Sequence, residues 1–383
     1  MSLATFRSLT LGLATLLLCP VAPSAHCEDR PTGWNHRATR QYLDARAGWW
    51  LDWSLAARGQ GTSCASCHTT VPYAIALPSL AKLPDAPQVP DVARRLLAGV
   101  RKRVERWDEL AATAPKGKDA LAPIVGGTKR EASLDTESVL NALTLAVNDT
   151  PGKGPLSDAA GRALDIMWSR QQGDGAWRWL EFGLNPWEHD GDYFGATLAA
   201  VAIGTTGERY ARHDDADTRR RTAALEGFLR ARLAEKPLLH NAALGLWAGS
   251  YLPDLFTHRE KEQLTDDLFK IQGEDGGWSM RDLGKGRSDA TDRGWPIVGS
   301  HPSGAVSDGY ATGLVVLALK RAGVSRNDAR LAKGLSWLST HQAADGTWPV
   351  VYVNTERSPE GNVGKFNRDA GAAFALMALT EPK

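Results

Sequence analysis

An excess of charge of either sign is the first thing this sequence lacks: 45 Lys and Arg stand against 44 Asp and Glu over 383 residues. A balance so near zero provides no basic surface for a phosphate backbone, which excludes nucleic acid as the expected partner. Methionine is scarce, at Met1, Met167, Met280 and Met377, and so is cysteine, at Cys19, Cys27, Cys64 and Cys67. There is no second Cys-x-x-Cys, so a zinc site built on the first would be two ligands short. Gly126-Gly127-Thr128 lacks the spacing of a phosphate-binding loop. Long apolar runs are missing too, apart from Leu9 to Ala25. Arg7 precedes that run and Ser24 and Ala25 end it, the layout of a cleavable secretory signal over residues 1–25. Neither Cys19 nor Cys27 has the context of a lipid-attachment site. The expectation is an exported mature chain, periplasmic or secreted, with no transmembrane segment once the signal is removed. Arg94, Arg95, Arg101, Lys102, Arg103 and Arg106, and Arg219 to Arg221, lie among acidic neighbours and read as solvated helix faces.

Two residues are abundant instead, with 38 Gly and 14 Trp. A repeat accounts for much of this. The pattern Gln-x-x-Asp-Gly-x-Trp begins at Gln171, Gln272 and Gln342. Each copy closes an amphipathic stretch (155–170, 257–271, 326–340). Each is followed by a stretch that is small and apolar nearly all round (194–204, 309–323, 369–379). A helix apolar on one face belongs outside a domain, and one apolar on every face belongs inside. Pairs without the motif fit at 216–233 with 239–250, at 90–111 with 135–148, and at 37–57 with 69–82. Six outer and six inner helices result, an all-α ring of antiparallel hairpins filling residues 26–383 as one domain. In the motif, Gly permits a tight turn. Asp ties down loop amides or caps the next segment. Gln reaches the neighbouring repeat, and Trp fills the space between outer helices.

These residues resemble the QW motif of the superfamily of squalene-hopene cyclases, oxidosqualene cyclases and prenyltransferase β-subunits, over about residues 130–383. The resemblance implies the α/α-toroid fold. Squalene cyclases hold their catalytic acid in Asp-x-Asp-Asp. Here only Asp190-Gly-Asp192-Tyr and Asp289-Ala-Thr-Asp292 come near it. Prenyltransferase β-subunits hold zinc with Asp, Cys and His on late repeats, whereas the last cysteine here is Cys67.

Cys64-Ala-Ser-Cys67-His68 is the sharpest chemical signal. Cys-x-x-Cys-His is the attachment pattern of c-type haem, in which two thiols form thioethers and the adjacent His ligates iron. The run also resembles c-type cytochromes. The other readings of the five residues are a disulfide or redox dithiol, and zinc. The segment before residue 90 has no methionine beyond Met1, so a separate cytochrome domain with its own Met ligand is not expected. Instead the loop 59–68 joins the first outer and inner helices and takes the place of the turn motif at the mouth of the ring.

If one covalent haem c is held there, Cys64 and Cys67 anchor it and His68 is the proximal ligand. A distal ligand would come from His301, His189, His240 or Met280 across the ring, or from His36. Asp192, Asp308 and Asp369 sit where helix N-caps belong. The expected function is electron transfer or oxidoreductase chemistry, with a redox partner protein or a small hydrophobic molecule. One alternative is a squalene/terpenoid cyclase-like isomerase using Asp190, Asp192 or Asp308 as acid. Another is a toroid that binds a hydrophobic ligand without turnover.

Overall fold

The alternation of stripe-like and all-round apolar stretches is realised as a ring of helix pairs in the computed structural model. It describes residues 33–383 apart from 84–88, 113–118, 150–153, 288–290, 299–305, 354–356, 359 and 383. The expected signal segment, Cys19, Cys27 and His301 lie outside the described residues. In order, the helices are α1 His36–Asp52, α2 Thr70–Leu80, α3 Asp91–Glu105, α4 Trp107–Leu110, α5 Arg130–Asn148, α6 Asp158–Arg170 and α7 Gly191–Thr206. They continue with α8 Ala216–Glu235, α9 Leu239–Gly249, α10 His258–Lys270, α11 Met280–Leu283, α12 Gly309–Arg321, α13 Ala329–Thr340 and α14 Phe366–Thr380. Only isolated bridges, and no strand, occur among the described residues.

Helices α2, α5, α7, α9, α12 and α14 each pack on the next, and α14 packs back on α2. That closes an inner barrel, with α1, α3, α6, α8, α10 and α13 outside it. The fold is an α/α toroid. Composition explains the two layers: every residue of α12 from Gly309 to Lys320 is buried, whereas α8 buries only Thr218, Leu225, Leu229 and Leu233. Gly313 shows why the inner helices are rich in small residues. A Cβ there would lie 2.6 Å from the Ala375 backbone nitrogen, so α12 and α14 meet backbone to backbone. No helix of the described residues is long and apolar enough to cross a membrane.

The repeated turn is the ring's fastener. Gln171 Nε2 donates to the Arg221 carbonyl at 3.0 Å and Gln272 Nε2 to the Arg330 carbonyl at 2.8 Å, each reaching the next outer helix. Gln342 Nε2 reaches back to the start of α1, donating to Thr39 Oγ1 at 2.7 Å and the Asn35 carbonyl at 3.2 Å. The last hairpin is thereby tied to α1. Asp174, Asp275 and Asp345 each accept from the amide two residues on. Trp177, Trp278 and Trp348 are fully buried, and each indole N–H donates to the carbonyl ten residues back. Gly346 has φ +86°, and a Cβ there would lie 2.2 Å from the Ala38 carbonyl carbon. Gly346→Ala is therefore expected to destabilise the fold by about 1–3 kcal/mol through strain at the ring closure. An unchanged thermal midpoint would show that this contact is not tight.

Three expectations need correction. Arg103 is not part of a solvated face. It is buried and bidentate on buried Glu137 at 2.6 and 2.9 Å, although Arg94, Arg95 and Arg101 do face water. Of the three proposed caps, only Asp308 caps a helix, accepting from the Ala311 amide at 2.9 Å. Asp192 and Asp369 lie inside the first turns of α7 and α14 and bond elsewhere. Lastly, α1 stops at Asp52 rather than 57, because Trp53 turns to extended backbone and leads into the 53–69 loop.

Candidate functional site

Loop 53–69 is built rather than loose. Gly59, Gln60 and Gly61 take positive φ and reverse the chain, so that Ala57 and Ser63 form a bridge. The Gln60 amide donates to Asp119 Oδ1 at 2.8 Å, and Arg103 holds Thr62 Oγ1 at 3.0 Å. Trp50 Nε1 donates to the Cys64 carbonyl at 2.8 Å, fixing the motif against the end of α1. The Ser66 amide donates to Thr70 Oγ1 at 2.9 Å, where α2 begins.

Cys64, Cys67 and His68 open onto one cavity of about 230 Å³. Its walls are largely apolar, with Trp50, Trp53, Trp179, Phe182 and Phe366 beside aliphatic side chains, and Arg58 and Glu188 are the charged groups among them. Leu55 and Phe182, two of the few large apolar side chains left exposed, lie at its edge at 67% and 55% exposure. The two cysteines are not joined to each other. Burial pushes both thiols up, and the nearby Glu188 charge raises Cys67 further. A redox dithiol needs the opposite shift, towards an accessible thiolate.

His68 sits face to face with Phe366, ring centroids 3.6 Å apart, and edge-on to Trp50 at 5.2 Å. Burial, with the Arg46 and Arg357 charges, drives its pKa down to about 3, so it is a neutral imidazole at ordinary pH. Its Nδ1 lies 3.0 Å from Ser66 Oγ and 3.1 Å from Thr69 Oγ1. Neutral imidazole is the form that ligates metal. No cluster of three His, Cys, Asp or Glu able to hold a metal ion occurs among the described residues.

The helix ends that meet here come from several hairpins, as expected of outer-to-inner loops sharing one rim. His68 is 5.8 Å from Trp187, which precedes α7, and Trp187 is 5.9 Å from Tyr310 at the start of α12. Beyond Tyr310 lies His240, whose Nε2 is 3.0 Å from the phenol oxygen. Trp295 stands between His240 and His189, at 5.4 and 5.1 Å. Trp187 and Tyr310 thus intervene between His68 and the other two imidazoles. None of His189, His240 and Met280 lines the cavity. Met280 is fully buried, and its amide donates to Asp308 Oδ2 at 2.5 Å. His36 opens α1 against Trp34 at 5.9 Å.

The carboxylates separate by environment. Asp190 is held by Arg232 at 2.9 Å and by Asn241 at 2.8 Å. Asp192 accepts the Trp179 amide at 3.0 Å, and burial raises its pKa. Asp308 is wholly buried and pushed up to about 7, held back by backbone amides that bond its oxygens.

Neither a protein-family model nor a curated protein matches the chain. Among solved structures it is similar to the unsaturated glucuronyl hydrolase of Bacillus sp. GL1, responsible for the degradation of glycosaminoglycan. That likeness is at 14% identity, covers 90% of this chain and 96% of that one, and has a TM-score of 0.49. It is also similar to the type II terpene cyclase MstE from Scytonema, at 13% identity over 91% and 98% of the two chains, TM-score 0.46. No functional assignment rests on similarity at this level.

Proposed function

We propose that this chain is an exported protein that carries one covalent haem c at the rim of its toroid. Its work would be oxidoreductase chemistry on a small or hydrophobic molecule, or electron transfer to a redox partner. The observation that carries this reading is the opening of Cys64, Cys67 and neutral His68 onto one largely apolar cavity. The donor set fits the group: two unjoined thiols for thioethers, one imidazole for iron, and apolar walls for a macrocycle. When bound, haem c supplies a one-electron couple. The chain's own residues hold it, with the indoles and Phe366 excluding water and Trp50 fixing the Cys64 backbone. Among the described residues, the cavity walls hold no second His or Met. His301 is the distal candidate outside them.

A cyclase-like reading draws on the ring fold and on Asp308, whose carboxyl is pushed up to about 7. Against it, Ala311 and Met280 amides bond both Asp308 oxygens, and Asp190 is ion-paired. Haem content separates the readings. Protein made with a c-type maturation system is expected to keep its haem through denaturing electrophoresis and to give a pyridine haemochrome spectrum. Cys64→Ala combined with Cys67→Ala is expected to abolish both. Wild-type protein without a Soret band would remove the haem reading and leave the cyclase-like and ligand-binding ones.

A further inference from the structure

The carboxylate of Asp369, on the last helix of the ring, faces the residue next to His68, 300 positions away in sequence. Asp369 is buried and receives four donors. Tyr42 OH and Arg46 Nε reach Oδ1 at 2.8 and 2.7 Å. Arg46 Nη2 and Thr69 Oγ1 reach Oδ2 at 2.9 and 2.8 Å. An ionised carboxylate has about four acceptor positions, and all four are filled. Arg46 can only donate and takes both oxygens in a bidentate ion pair, which holds Asp369 as a carboxylate, so the Thr69 hydroxyl donates to it. That hydroxyl has then spent its only hydrogen and can offer His68 Nδ1 nothing but a lone pair at 3.1 Å. Ser66 Oγ, which also accepts the Thr69 amide at 2.9 Å, lies 3.0 Å from the same Nδ1 and could either donate or accept there. With Nδ1 protonated both hydroxyl oxygens accept from the ring, whereas with Nδ1 bare the Thr69 oxygen would face it lone pair to lone pair.

We infer that Asp369 and Thr69 are positioning residues for His68: they fix its Nδ1–H tautomer and leave the Nε2 lone pair free for a ligand. A relay from an imidazole N–H to a buried carboxylate orients the ring and raises its basicity. The orientation of the haem-loop histidine is therefore set by ring closure, through the last hairpin and α1. The tautomer part stands on the geometry alone; its consequence for haem rests on the function proposed above.

The first test needs no haem. In ¹⁵N-histidine-labelled, haem-free full-length protein at neutral pH, His68 is expected to be neutral and protonated on Nδ1. In Thr69→Val, Ser66 can turn its hydroxyl to Nδ1, and the population is expected to move towards the Nε2–H form. Thr69→Ser is expected to restore the wild-type signal. A wild-type His68 protonated on Nε2, or a tautomer unmoved in folded Thr69→Val, overturns the inference. In haem-loaded protein the same substitution is expected to shift the midpoint potential upwards, because a less basic imidazole favours the ferric state less. Thr69→Ser should reverse the shift, which a merely structural role would not predict. An unchanged potential in a haem-loaded Thr69→Val protein overturns the relay as a tuning device. Failure of wild-type protein to take up haem overturns the proposed function and leaves the tautomer measurement to decide this one.

Discussion

Trp348→Ala is expected to lower the unfolding free energy by about 3–5 kcal/mol, the range for truncating a large buried aromatic side chain. The indole is 1% exposed, so the cavity left behind cannot be filled from solvent at no cost. Its N–H also donates to the Leu338 carbonyl at 2.7 Å, and losing it leaves a buried acceptor short of a partner. Trp177 and Trp278 occupy the same place in their own repeats, with donors to the Met167 and Leu268 carbonyls at 2.8 and 2.7 Å. All three substitutions should therefore fall in the same range by urea denaturation. Trp348 differs in one respect. Its ring lies 6.3 Å from that of Trp34, just before α1, so its loss also loosens the seam where the ring closes. Trp348→Phe keeps most of the volume and is expected to cost less than half as much. Losses below about 1 kcal/mol for all three would mean that the outer layer does not pack on these indoles.

How much of this could be read beforehand depends on the range of the interaction. All twelve long helices were legible, because burial on one face or on all faces leaves a local compositional trace. The exact ends were not: α5 starts at Arg130 rather than 135, because its first turn is polar and carries no apolar period. The turn motif was legible down to its Gln, whose reach to the next outer helix repeats in all three copies. Cys64, Cys67 and His68 were legible as a motif, but their surroundings were not. Phe366 stacks on His68 from the far end of the chain, and Asp369 bonds Thr69 from the same helix. No pattern within a window of residues connects them. The one local hint was the cluster Trp49, Trp50 and Trp53, two of which line the cavity. The burial of Arg103 is hidden from the sequence for a related reason. Its charged neighbours at 94, 95 and 101 do face water, and only the position of Glu137 on α5 reveals that one guanidinium points inwards.

That guanidinium gives the second large effect. Glu137→Ala is expected to destabilise the protein by about 3–5 kcal/mol, because it leaves the Arg103 charge buried without its counter-ion. Side-chain exposure is 1% for Arg103 and 0% for Glu137, so water cannot take over the lost contact without local opening. The consequence should be local as well as global. Arg103 also holds Thr62 Oγ1 at 3.0 Å and the Ala122 carbonyl at 2.8 Å, which ties the motif loop to the segment before α5. Hydrogen exchange at the amides of residues 59–64 is therefore expected to speed up in Glu137→Ala more than exchange in the barrel helices α9 and α12. The double substitution Arg103→Met with Glu137→Leu removes both charges and fills much of the space. It should recover most of the lost stability, since a well-packed apolar pair often equals or exceeds a buried ion pair. It should not recover the protection of the loop, because neither new side chain can bond Thr62 or Ala122. If the double variant restores both stability and loop protection, the ion pair is dispensable for shaping the 59–68 loop. If Glu137→Ala alone leaves stability unchanged, the pair is solvated and the structural reading of Arg103 fails.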